Sequence, residues 1–503
     1  MELLNHLALG FSTALSMQNL LYAFIGCLLG TLIGVLPGLG PVATMSMLLP
    51  ATFTLQPTAA LIMLAGIYYG AQYGGSTTAI LVKLPGESSS VVTVLDGHEM
   101  ARRGRAGIAL TTAAVGSFFA GTVGTLVIAA FALPLASVAL SFGPPEYFAL
   151  MVVGLIGSIV LASGSVLKAI AMVVLGLSLG LVGTDTQSGV ERFTFDTEEL
   201  VDGLNFVAVT MGVFGLAEII ANLEKHGSVG SEITRVSTLF PTREDWRRMW
   251  PAILRGTGIG TVLGIFPGGG PVISSLTSYL VERRVSKNPE EFGKGAIEGV
   301  AGPESANNAA AQISFIPMLT LGIPSNIVMA MMAGAMMMHS IQPGPQVMTR
   351  NPELFWGLIA SMWIGNVMLL VLNLPLVGIW VRFLTIPYRF LYPAIIVFCC
   401  IGVYSVNNTV FDIFQAAFWG VVGYGFLKLK LEPAPMLLGL ILGPMMEENF
   451  RRALVLSRGD FGIFVSTPVA CTFLVLAAIL LVVLASPALR KKREVAFREE
   501  DPA

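Results

Sequence analysis

Charge is scarce in this chain: of its 503 residues only 12% are Asp, Glu, Lys or Arg, against roughly 25% in an average soluble domain. With 54% apolar residues besides, a soluble fold would expose large adhesive patches, so soluble enzymes and binding modules are excluded. A formal net charge of −2 leaves no basic surface for nucleic acid and no polybasic lipid-binding face. Histidine is rarer still. His6, His98 and His226 read as terminal or loop positions, which leaves His339 as the one candidate base for an intramembrane enzyme built on Gly74-Gly75-Ser76, so that class is set aside. Cys27, Cys399, Cys400 and Cys471 all lie in apolar segments without metal-ligand spacing, and Met331, Met336, Met337 and Met338 beside His339 read as packing. No metal or other cofactor is expected. A phosphate-cradling Gly-x-x-x-x-Gly-Lys-[Ser/Thr] run is also missing, which excludes a nucleotide-driven pump. Residues 1–18 have neither the basic start nor the cleavage site of a signal peptide.

What the chain has in abundance is uncharged apolar stretches long enough to cross a bilayer, which takes about 20 residues. They predict an all-α integral membrane protein of about 12 transmembrane segments. Expected spans lie near 18–49 (interrupted at Pro37), 57–82, 107–133, 145–163, 165–183 and 204–222, then near 252–280 (interrupted at Pro267), 306–339 in two short pieces, 354–380, 384–403, 410–427, 433–446 and 463–486. The implied organisation is a first membrane repeat over 1–223, a cytoplasmic loop over 224–251, a second repeat over 252–489 and a cytoplasmic tail over 490–503. Basic clusters at Arg102, Arg103 and Arg105 and along Lys225 to Arg255 should face the cytoplasm. The acidic segment Asp185 to Asp202 reads as periplasmic.

One segment occurs twice. Gly30-Thr31-Leu32-Ile33-Gly34-Val35-Leu36-Pro37-Gly38-Leu39-Gly40-Pro41-Val42 returns 230 positions later as Gly260 to Val272, with Pro267-Gly268-Gly269-Gly270-Pro271 at its end. A looser echo links Tyr73 to Glu87 with Pro303 to Asn326. Within hydrocarbon, Pro-Gly-x-Gly-Pro breaks a helix and leaves backbone groups that lipid cannot satisfy. One such break is an ordinary kink. Two at matching places in two halves point to a midplane binding site, with helix N-termini for anions and freed carbonyls for cations. Hydroxyls and amides near the breaks complete the candidate carboxylate site: Gly38, Gly40, Thr44, Ser76, Thr77, Thr78, Gly268, Gly270, Ser274, Ser275, Asn307 and Asn308. A coupling ion, sodium or a proton, is expected at Glu304, Asn307, Ser325 and Asn326, while Glu87 reads equally as a solvated loop carboxylate.

With these motifs in view, the chain resembles the TctA-type large membrane subunit of the tripartite tricarboxylate transporter family over nearly its whole length. The resemblance rests on 37–41 and 267–271, Tyr73 to Glu87, Asp96-Gly97-His98 through Gly107, Gly302 to Ala310 and Leu319 to Pro324. It departs from the family pattern at Lys83 and at Ser325. The resemblance implies a secondary transporter in the bacterial inner membrane, working beside a small four-helix membrane subunit and compatible with an oligomer. A periplasmic solute-binding protein would deliver the organic carboxylate, and an ion gradient would drive uptake by alternating access. Without the resemblance, a passive channel would be the nearest competitor.

Overall fold

The computed structural model describes residues 2–36, 40–161, 165–185, 187–225, 236, 238–265, 270–384 and 388–485, so the expected tail 490–503 lies outside the described residues. Helix dominates: among the described residues the strands amount to one antiparallel pair, Gly183–Thr184 with Glu191–Arg192. Among the described residues five helices are long and apolar enough to cross a membrane, among them Met17–Gly34, Pro352–Asn373 and Val410–Lys428.

Nine helices position the centre of the molecule: α1 (Met17–Gly34), α2 (Pro41–Thr52), α3 (Pro57–Val82), α4 (Ala106–Ala139), α5 (Arg243–Leu263), α6 (Gly270–Val285), α7 (Glu298–Ile313), α8 (Ile327–Met338) and α9 (Pro352–Asn373). In lipid, apolar burial does not drive helices together, so close backbone approach at small residues must do so. Glycine supplies it here. A Cβ added at Gly26, Gly30 or Gly34 of α1 would stand 2.3, 2.3 and 2.5 Å from the carbonyl oxygens of Met63, Ile67 and Ala71 on α3. On α5, the same addition at Gly256, Gly260 or Gly264 would stand 2.2, 2.2 and 2.7 Å from Gly302, Ala306 and Ala310 oxygens on α7. Both ladders repeat every fourth residue, which keeps them on one helix face.

The two hairpins lean on each other's neighbours. Helix α9 packs on α1 and α3, while α4 packs on α5 and α7, and α4 and α9 also touch. Asn366 of α9 fixes one crossing: its amide donates to the Phe118 oxygen at 2.8 Å and its oxygen accepts from the Tyr73 hydroxyl at 3.1 Å. As a result α3 is buried without interruption from Ala59 to Val82, and α7 from Gly299 to Ile313. Polar side chains on these two helices are therefore placed where water does not reach.

Ion pairs collect at the ends. Arg105 pairs with Asp245, so the basic cluster at 102–105 and the start of α5 meet at one end of the molecule. There Arg248 holds Glu298 and Glu291 at 2.8 and 2.6 Å, and Arg255 holds the buried Glu282 at 2.5 Å. A second cluster joins Asp185 to Arg192 and Arg451 at 2.9 and 2.8 Å.

Several boundaries differ from the sequence-based expectation. The expected loop to 251 is helical from Arg243, because Thr242 and Asp245 form a reciprocal cap that starts α5 early. A helix Glu2–Ala14 precedes the first expected span and packs on α9. The helix expected over 433–446 runs from Ala434 to Leu456, its polar end carrying Arg451 into the second ion cluster.

Candidate functional site

Both duplicated motifs interrupt a helix. Helix α1 stops at Gly34 and α2 begins after an extended Gly40 (φ −69°, ψ 177°); α5 stops at Leu263 and α6 begins at Gly270. Gly38 and Gly268 lie outside the described residues. Beyond the first break, Thr78 on α3 reaches the Val35 oxygen at 2.8 Å, capping a carbonyl that the ended helix leaves bare.

A second pair of interruptions follows α3 and α7. Lys83 and Gly322 both take the left-handed conformation, with φ of 62° and 77°. Two residues later come Pro85 and Pro324, then Gly86 packed on Gly75 and Ser325 bonded to the Ser314 oxygen at 3.2 Å. Glu87 and Asn326 then cap the next short helices, with Asn326 accepting from the Met329 amide at 2.9 Å. All these pairs, like Met63 with Gly302, stand 239 positions apart. The end of the looser echo, Pro85 to Glu87 with Pro324 to Asn326, lies at this register, whereas its start, Tyr73–Thr78 with Pro303–Asn308, is nine residues out of it. At the packing register, Asn307 and Asn308 stand level with Tyr68 and Tyr69.

Two carboxylates occupy the centre. Glu304 on α7 is fully buried and accepts from Ser76 on α3 at 2.7 Å and from Thr93. Glu87, expected equally as a solvated loop residue, is buried at 8% exposure. Its Oε1 accepts from the Ser89 hydroxyl at 2.6 Å and the Asn307 amide at 2.9 Å. Gly40 lies against this same corner, a Cβ there meeting the Gly86 oxygen at 3.6 Å. Among the described residues no Lys or Arg pairs with either carboxylate. Buried charge that has hydrogen bonds but no countercharge is costly, several kcal/mol by general experience.

The helices near them also carry buried polar atoms with no hydrogen-bond partner: the Ser274, Ser275 and Ser278 hydroxyls on α6, Asn307 Oδ1, the Tyr69 hydroxyl and Gln72 Oε1. Ser278 faces Gly302. Buried groups of this kind are rare in folded proteins and call for a ligand, ion or water. A cavity of ≈ 10 Å³, room for about one water, opens beside Ser76 and Thr77 and is closed by Ser117 and Asn373. The larger cavity, ≈ 70 Å³, lies apart at Gly180 to Asp185 and Arg451.

The structure thus gathers Gly40, Ser76, Asn307, Asn308 and Glu304 around one centre. Asn308 reaches it through the Ser117 hydroxyl at 2.7 Å and the Glu304 backbone oxygen at 3.0 Å. Thr44 and Thr77 are buried but bonded to their own helices, at Gly40 and Tyr73. Ser76 donates to Glu304 rather than to a histidine. Sequence reasoning missed Thr93, Ser89, Ser117 and Tyr68. The run Ser88-Ser89-Ser90 after Glu87 was a readable signal; Tyr68, which lies beside Gln72, Ser314 and Asn326, carried none.

Three comparisons bear on the chain. A family model described as "Tripartite tricarboxylate transporter TctA family" matches residues 20–438. A protein of Agrobacterium vitis described as "Uncharacterized 52.8 kDa protein in TAR-I ttuC' 3'region" is 58% identical over 501 residues, covering 100% of both chains. A second from the same organism, "Uncharacterized protein in TAR-II ttuC' 3'region", is 56% identical over 242 residues, 48% of this chain and 100% of its own. No solved structure matches.

Proposed function

Given that the chain belongs to the tripartite tricarboxylate transporter TctA family, a family of membrane transport components, we propose that it is the large permease subunit of a bacterial inner-membrane importer of an organic carboxylate. In this reading a periplasmic binding protein delivers the substrate, a small four-helix subunit sits alongside, and sodium or protons supply the driving force. About 12 spans form two related halves, and the halves alternate access to a site between the broken helices.

One observation carries the reading: Ser274, Ser275 and Ser278 are buried without acceptors on a helix that begins at a break. Hydroxyl donors lacking acceptors suit a carboxylate, whose oxygens only accept. The α6 N-terminus adds a favourable dipole. Glu87 and Glu304 would repel that substrate, so accompanying cations are needed to balance the site. Recruiting mobile cations also avoids the cost of holding Lys or Arg at mid-bilayer.

The test is uptake into vesicles carrying this chain with its partners, under separately imposed sodium and proton gradients. The Ser274→Ala, Ser275→Ala double variant should lower uptake about tenfold, equivalent to roughly 1.4 kcal/mol, with membrane levels of the protein unchanged. Wild-type uptake by that variant would remove the site. Transport that persists with both gradients collapsed would identify a passive channel.

A further inference from the structure

We propose that the coupling ion is a metal cation of sodium's class, bound between Glu87 and Asn307, and that Glu304 does not ligate it. The proposal rests on the transporter reading and deepens it. Three observations support it, the first being the orientation of Asn307. Its Nδ2 donates to Glu87 Oε1 at 2.9 Å. A carboxylate oxygen only accepts, so the amide nitrogen is the atom turned to Glu87 and the amide oxygen is left for another partner. That oxygen, on a residue with no exposed surface, has no protein partner. The pair therefore combines a carboxylate with an unpaired amide oxygen, an all-oxygen set suited to a hard monovalent ion. A proton on Glu87 would neutralise the carboxylate but leave Asn307 Oδ1 unmet, whereas a metal cation engages both.

The second observation is the contrast with Glu304. Both of its oxygens are taken by hydroxyl donors, Ser76 on one and Thr93 on the other. Each of its oxygens already accepts a hydroxyl, and the two bonds tie α7 to α3 and to the segment after Glu87. That is a positioning role: it sets α7, and hence Asn307 one turn further on, against Glu87.

Third, the equivalent place in the other half is neutral. At the 239-residue register Glu87 corresponds to Asn326 and Asn307 to Tyr68, and these two also lie side by side. An amide and a phenol there supply no charge to balance a cation. The relation between the hairpins thus yields two similar polar corners, of which the Glu87 corner alone brings a negative charge to balance a cation. The first break delivers Gly40 to that same corner, so ion occupancy and the position of α2 are physically linked.

The test uses the purified full chain in detergent without substrate or binding protein, so that it can fail independently of the uptake experiment. Thermal stability is followed while Na⁺ replaces choline at constant ionic strength, at pH 7 and pH 8.5. Wild type should be stabilised saturably by Na⁺ at both pH values. Glu87→Gln and Asn307→Ala should weaken the apparent sodium affinity on the order of tenfold or more, and Glu87→Asp should restore part of it. Glu304→Gln, which disturbs the placement of Asn307 without removing an ion ligand, should lower stability and shift the apparent sodium affinity less than Glu87→Gln does. Wild type that responds to pH but not to Na⁺ would overturn the proposal in favour of a proton. Loss of the response in Asn326→Ala but not in Glu87→Gln would place the ion in the other half and overturn it equally.

Discussion

The two glycine-laddered hairpins, α1 with α3 and α5 with α7, share a backbone and differ in chemistry. Both close through glycines four residues apart, and both lead to a left-handed residue, at once after α3 and nine residues after α7, followed by a proline and a polar cap. Yet α3 brings Tyr68, Tyr69 and Ser76 to the centre while α7 brings Glu304, Asn307 and Asn308. The helices after the breaks diverge in the same sense: Thr44 and Ser46 on α2 bond their own helix, whereas Ser274, Ser275 and Ser278 on α6 have no partner. Packing requires small residues at the ladder and constrains nothing on the opposite face. The ladder therefore repeats, and the inward-facing polar set is free to specialise.

If the ladders are equivalent, the largest effect should come from blocking either one. Gly30→Ala and Gly260→Ala each place a Cβ about 2.2–2.3 Å from a backbone oxygen, which cannot move as a side-chain tip could. Each should cost about 1–3 kcal/mol, read as a lower melting temperature in detergent. Gly258→Ala, one face away with nothing within 4 Å, should be neutral or stabilising by up to about 1 kcal/mol. A tolerated Gly30→Ala with a damaging Gly260→Ala would break the equivalence.

A smaller effect should separate the hairpin ends. Lys83 holds φ 62° without glycine's freedom, so Lys83→Gly should stabilise by about 1 kcal/mol or less as left-handed strain is relieved. Gly322→Ala should destabilise, because φ is 77° there and its Cβ would meet the Pro343 oxygen at 2.7 Å. Melting curves of the two variants, moving in opposite directions, would sharpen the comparison.

The smallest effect lies outside both hairpins. At Asp185 the Ser188 hydroxyl, the Gln187 amide, Arg451 and Arg192 hold the carboxyl well below the usual aspartate range. Its folded-state value being depressed, it contributes stability above about pH 4, the ordinary aspartate value, and loses that contribution as pH falls towards the depressed value. Hydrogen-exchange protection at Gly183–Arg192, taken relative to the intrinsic exchange rate at each pH, should therefore fall as pH drops below about 4 in wild type, and much less in Asp185→Asn.

Much was legible from the residues alone. Scarcity of charge and recurrent apolar runs dictated a helical membrane protein, because only a helix satisfies its own backbone in hydrocarbon. The duplicated Gly-x-x-x-Gly and Pro-Gly-x-Gly-Pro run located both breaks, because proline and glycine act on the chain locally. Pairings across the fold were not legible. The true register of α3 against α7 is set by where glycines admit a neighbouring carbonyl, and nine extra residues between break and buried helix in the second half hid it from a fixed-offset reading. Tertiary structure alone turned Glu87 inward onto Asn307, gave both oxygens of Glu304 to Ser76 and Thr93, and left the α6 serines without acceptors. Sequence determines which residues can break or tighten a helix; which side chains share a buried space depends on contacts between segments more than 200 positions apart, as from Glu87 to Asn307.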